Sequence, residues 1–195
     1  LSPENLTIEI HSKSNVILNK IATAEYKVKQ MTLSPDNLAY QEFLESFAVE
    51  AGHAPLGTYS SLDNKCQFDY VDVIHEEPQT PARVDHESEV GATEWAKSHI
   101  KGFTIPMRIF IGWHERAHWW LDSTNESEVD LIAAKICLDR GFPKNEILHA
   151  ATRILPSEDS QGRAIQGNID RAIAIRDLID AYTNSNQNQN YADAA

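Results

Sequence analysis

Three side chains within five residues carry the clearest chemical signal in this 195-residue chain: His114, Glu115 and His118, in the run His-Glu-Arg-Ala-His. An α-helix has about 3.6 residues per turn, so positions i and i+4 lie one above the other on one face. His114 and His118 can then each turn an imidazole nitrogen toward a single zinc ion. Glu115 is next around the helix, beside the ion. There its carboxylate can take a proton from a zinc-activated water and serve as general base. The same five letters also occur on helices whose histidines are incidental, so the flanking residues carry weight.

Those flanks resemble an active-site helix. Phe110, Trp113, Ala117, Trp120 and Leu121 recur at spacings of three and four. Such a stripe anchors one side of a helix in a core and leaves His114 and His118 facing a cleft. Thr104 and Pro106 are helix-start residues, which predicts a helix over Pro106–Asp122. After the polar break Asp122-Ser-Thr-Asn125, a second apolar face runs through Val129, Ile132, Ala133, Ile136 and Cys137 and closes at Arg140-Gly141-Phe142-Pro143. Two helices joined so tightly lie antiparallel, which brings Glu126 level with His118 and Asp130 level with His114. Glu126 then completes a His, His, Glu set with one open position, the arrangement of catalytic zinc. Asp130 is placed to accept the other ring N–H of a ligand histidine. Two capping boxes compete for these glutamates. In Ser123-Thr-Asn-Glu126 the glutamate reaches back to cap the helix; in Asn125-Glu-Ser-Glu128 the cap is Glu128 and Glu126 is free. Asp122 and Glu128 are the alternative third ligands.

The two motifs together, His114-Glu-Arg-Ala-His118 and Asn125-Glu126-Ser-Glu-Val-Asp130, resemble those of the zincin metallopeptidases. The resemblance is greatest to the gluzincin branch, whose second motif runs Asn-Glu-x-x-x-Asp. It covers about Gly112 to Gly141. It implies Glu126 as zinc ligand, Asp130 as support for the first histidine, and a peptide or protein substrate. The eight-position step from His118 to Glu126 is shorter than in the large secreted members and more like compact intracellular or phage-associated ones. No metzincin signature follows, since Thr124 stands where its third histidine would be. Two function classes are implied. One is a zinc-dependent peptidase, with one zinc per chain. The other is a zincin fold kept as a structural or binding module, for example a component of a virus particle or other large assembly.

The composition frames these readings. A net charge of −12 with no lysine/arginine cluster argues against nucleic acid and against an anionic membrane surface. No apolar run approaches the ~20 residues of a membrane-spanning helix. The N-terminal Leu-Ser-Pro-Glu-Asn is polar and unlike a signal peptide, although a chain that begins without methionine leaves room for a removed leader. A cytoplasmic or virion-associated location is expected before a secreted one. Cys66 and Cys137 do not form a disulfide framework, and Cys137 lies about 16 Å along the helix from Glu126, too far to share its metal.

The rest of the chain predicts an α+β fold: a minimal zincin-like domain over 1–182, with a small sheet packed on the metal-bearing hairpin, and a helical C-terminal half. Thr7–Ile10 reads as a short strand, Val16–Met31 as helix or strand, and Pro35–Ala51 as helix. Pro55–Asn64 and Glu76–Asp85 read as loops. Phe68–Ile74 is the strongest strand candidate, either an edge strand beside the metal that binds extended substrate or a central structural one. Thr93–His99 is ambiguous. Pro143–Leu155 and Gly162–Tyr182 read as helices, and 183–195 as a polar, disordered or arm-like tail. His75, His86 and His99 are expected at the surface and His149 partly exposed, while Tyr70 is expected to pack; none is assigned to catalysis.

Overall fold

Ile21, Ala24, Val28 and Met31 are buried at spacings of three and four, a helical stripe that decides the ambiguous N-terminal segment. In the computed structural model it belongs to one long helix, α1 (Pro3–Thr32). The structure describes the backbone of residues 3–155 and 158–192, and the side chains of 15–155 and 158–183. The strand expected at Thr7–Ile10 is instead the start of α1. Four residues are too few to tell a period of two from one of 3.6, and the long run that follows is helical.

α2 (Pro35–Glu50) follows, then β1 (Gly57–Ser60), β2 (Gln67–Val71), β3 (Ala82–Val84) and β4 (Thr93–Ala96). A short α3 (Lys97–Ile100) leads into α4 (Ile105–Leu121), α5 (Glu126–Asp139), α6 (Lys144–Ile154) and α7 (Gln166–Ala192). The fold is therefore α+β, with a small four-stranded mixed sheet and a helical C-terminal half. α7 continues as helix through the Asn/Gln-rich stretch after Tyr182 that the sequence reads as a tail.

The strand order is β1-β2-β4-β3. β1 and β2 are antiparallel, β2 and β4 parallel, and β3 runs antiparallel to β4 with Arg83 opposite Glu94. β2 is thus interior, and the edge-strand reading of Phe68–Ile74 is corrected: the edge beside the histidine helix is β3. Its brevity and the prolines at 78 and 81 had marked that segment as loop, as Pro55 and Gly57 had for β1.

Phe68 and Tyr70 on β2, Trp95 on β4 and Phe47 on α2 pack as an aromatic cluster between sheet and helices. α4 runs through the centre of the molecule, with Ile109, Phe110, Trp113 and Ala117 buried. α2 crosses it at Gly112, whose carbonyl accepts from the Tyr40 hydroxyl at 2.7 Å. At the start of α4 the buried guanidinium of Arg108 donates to the Ala48 and Ile100 carbonyls at 2.7 and 2.9 Å. One cation thus closes the C-terminal ends of α2 and α3. No helix among the described residues is long and apolar enough to cross a membrane.

Candidate metal centre and cleft

Thr104 caps α4, its hydroxyl accepting from the Met107 N–H. The helix ends at Asp122, which adopts the left-handed conformation with φ of 46°, one that aspartate tolerates better than most residues. The chain reverses there and restarts at Asn125, whose side chain accepts from the Glu128 N–H at 3.2 Å. Asn125 is therefore the cap of α5. Glu128 is held by Lys27 of α1 and by the Ser123 hydroxyl. Asp122 is an exposed cap, and Glu126 is left to turn toward α4.

One ligand atom from each of His114, His118 and Glu126 falls within a 4.8 Å cluster. The two Nε2 atoms are 3.1 Å apart. Glu126 Oε2 lies 3.4 Å from His114 Nε2, and Oε1 lies 3.3 Å from His118 Nε2. Behind them, His114 Nδ1 is 2.9 Å from the Asp130 carboxylate, and His118 Nδ1 donates to the Ser123 carbonyl at 2.6 Å. A carbonyl and a carboxylate only accept, so both Nδ1 atoms carry hydrogen. Both Nε2 lone pairs are therefore directed at one point, beside a carboxylate. Two such acceptors at this separation need a cation between them.

Without a metal that cation is a proton. Burial opposes charge on His114, but hydrogen bonds to Asp130 and Glu126 outweigh it and push its pKa up to about 10. The same histidines hold the Glu126 carboxyl far below the usual carboxylate range. The donor set of two imidazoles and one carboxylate fits a metal ion, and it suits zinc better than magnesium or calcium, which prefer all-oxygen shells.

Asp130 has a further partner that the sequence does not announce. Arg171, on α7, donates to it through Nε at 2.6 Å and Nη2 at 3.1 Å, and reaches Glu126 at 2.9 Å. No local pattern marks a contact across 41 positions.

Glu115 sits beside the cluster, and burial raises its pKa. Its Oε2 accepts from the Val84 N–H of β3 at 3.0 Å. Flanking β3, the Asp85 N–H donates to the Ala92 carbonyl and the Pro81 carbonyl accepts from the Ala96 N–H. The alternate residues Ala82 and Val84 therefore turn their backbone groups to the edge away from β4, where Glu115 takes the Val84 N–H. That edge, the two histidines, Glu115 and Glu126 line one cleft of about 480 Å³. Phe110, Ile111, Ile154 and Leu155 form its apolar wall.

His86 also lines this cleft, its ring centroid 6.2 Å from that of His118. The expectation that it is merely a surface residue is thereby narrowed: it is exposed, but into the cleft. His149 and His75 are exposed and lie outside it. His99 donates to the Pro78 carbonyl. Tyr70 is buried, with its hydroxyl on the Ala51 carbonyl, so it packs as expected.

No protein-family model, curated protein or solved structure matches the chain.

Proposed function

We propose that the protein is a zinc-dependent metallopeptidase of zincin type. The observation that carries this reading is the convergence of His114 Nε2, His118 Nε2 and the Glu126 carboxylate, each backed from behind, at a cleft that also holds Glu115. Zinc held there supplies Lewis acidity, which polarises a scissile carbonyl and makes water more acidic. The chain's own residues do the rest. An extended substrate beside β3 meets the outward N–H and C=O of Ala82 and the Val84 carbonyl, the Val84 N–H being held by Glu115, and so adds a strand to the sheet. Glu115 takes a proton from the attacking water as its oxygen bonds to the carbonyl carbon. The carbon–nitrogen bond then breaks, and Glu115 passes that proton to the leaving amine. In the metal-free fold burial raises the pKa of Glu115. Asp130 and the Ser123 carbonyl hold both imidazoles in the tautomer that leaves Nε2 free.

Glu115→Gln keeps the side chain's size and removes the base. The variant is expected to retain zinc and thermal stability while cleavage of a diverse peptide library falls by at least ~100-fold. Parent cleavage that survives both a chelator and this substitution would defeat the mechanism. A parent that binds zinc and cleaves nothing would leave the fold as a metal-bearing structural module within a larger assembly.

A further inference from the structure

Of the cationic and imidazole groups that line the cleft, all but one are engaged. Arg83 is paired with Glu76 and Glu94, Arg171 with Asp130 and Glu126, and His114 and His118 with the metal cluster. His86 remains. Among the described residues its ring has no hydrogen-bond partner, only the edge-to-face contact with His118.

The loop that carries it is not free to wander. His86 stands two residues beyond Val84, the last residue of β3, whose N–H holds Glu115. The Ser88 hydroxyl accepts from the Ala92 N–H, and Asp85 accepts from the Glu87 N–H. α4 then fastens the loop with side chains interleaved among the motif residues. Trp119 Nε1 donates to the Ser88 carbonyl at 2.8 Å, and Arg116 Nη1 to the Val90 carbonyl at 3.1 Å. Arg116 lies 4.3 Å over the Trp119 ring and 4.7 Å over Tyr40, and Asn37 accepts from its Nε. Gly91 has φ of +62° and rests against Trp119 so closely that a Cβ there would come within 2.7 Å of the indole. The helix that presents His114 and His118 therefore also fixes the loop that presents His86.

Hydrolysis of an amide puts negative charge on the former carbonyl oxygen, and a fixed N–H donor beside that oxygen stabilises it. Resting on the peptidase reading above, we infer that His86 is a catalytic residue of this cleft, donating a ring N–H to the substrate oxygen that gains charge as its carbon becomes tetrahedral. An imidazole has such a donor whether neutral or protonated. Its exposure allows the ring to meet substrate without first breaking a hydrogen bond.

The test uses the full chain loaded with zinc, as parent, His86→Ala and His86→Gln. Two probes separate an oxygen contact from metal binding: a peptide phosphonate, whose tetrahedral anionic oxygens copy the charged oxygen, and a peptide thiol, which has none. His86→Ala is expected to bind the phosphonate at least ~10-fold more weakly, to bind the thiol and zinc as the parent does, and to lose kcat by ~100-fold with KM little changed. Gln, which keeps an N–H, is expected to restore part of the phosphonate affinity. Equal phosphonate affinity in parent and Ala variant overturns the inference, as does a phosphonate that fails to bind the parent. Loss of zinc from the Ala variant also overturns it, by making His86 a ligand. If the parent cleaves no peptide, the peptidase reading fails and the catalytic role of His86 with it, while the phosphonate-to-thiol comparison still decides whether His86 donates to an anionic oxygen in the cleft.

Discussion

Asp130 is buried to 2% exposure, with His114 on one side and the Arg171 guanidinium on the other. A buried carboxylate left with half its partners is costly, and one that turns away frees the imidazole it orients. Replacing Arg171 by a neutral residue would also remove a cation close to the metal, mixing two effects of opposite sign. Arg171→Lys avoids this, since it keeps the charge and removes the two-pronged grip. Zinc affinity is expected to fall ~10-fold or more in this variant, measured by competition with a chromophoric chelator. Unchanged affinity would reduce Arg171 to a brace between α5 and α7. The same residues show what a sequence can and cannot disclose. His114, Glu115, His118, Glu126 and Asp130 lie within 17 positions, where helix geometry alone predicts which side chains meet. The choice of Glu126 over Glu128 turned on which residue caps α5, and the structure resolves it through Asn125. Arg171 and His86 come from distant segments, and only the tertiary fold brings them to the cluster.

α4 can pass close beneath α2 because residue 112 is glycine. A Cβ there would lie 2.3 Å from Leu44 Cδ1 and 3.1 Å from its Cγ. Leu44 is fully buried and cannot swing aside. Gly112→Ala gains up to ~1 kcal/mol of helix propensity, but overpacking a core of this kind costs ~1–3 kcal/mol. Net destabilisation is expected, read as a lower denaturant midpoint with unchanged m-value. A midpoint at or above that of the parent would mean that the α2–α4 contact is looser than described. α4, α5 and α7 were legible because each carries a long periodic stripe, whereas the start of α1 read as a strand and the four-residue α3 was too short to show a period. β1 and β3 were not, because three or four residues amid prolines and glycines carry no period. They exist because β2 and β4 offer them hydrogen bonds, a tertiary cause with no local mark.

In the metal-free fold a proton holds the cluster together, and this sets how that fold responds to pH. His114 binds that proton more tightly in the folded chain, with its pKa pushed up to about 10, than in the unfolded chain at its ordinary 6.5. This contribution to stability is complete below the ordinary value and disappears as pH rises through about 10. Glu126 and Asp130 are shifted the other way, so theirs is lost as pH falls through the carboxylate range. Metal-free protein is therefore expected to lose thermal stability between pH 7 and 10, whereas zinc-loaded protein, whose His114 has already given up its proton, does not share that loss. Zinc binding near pH 7.5 is expected to release at least one proton, measured by calorimetry in two buffers of different ionisation enthalpy. Binding with no proton release would contradict the raised His114 value. The interleaving of Arg116 and Trp119 with His114 and His118 also bears on whether this cluster is portable. Grafting the five letters onto another helix would transfer two histidines and a glutamate. It would leave behind the loop they are fastened to, the cap that frees Glu126 and the arginine that steadies Asp130. The unit a designer would have to transplant is the helix with three neighbouring segments, not the motif.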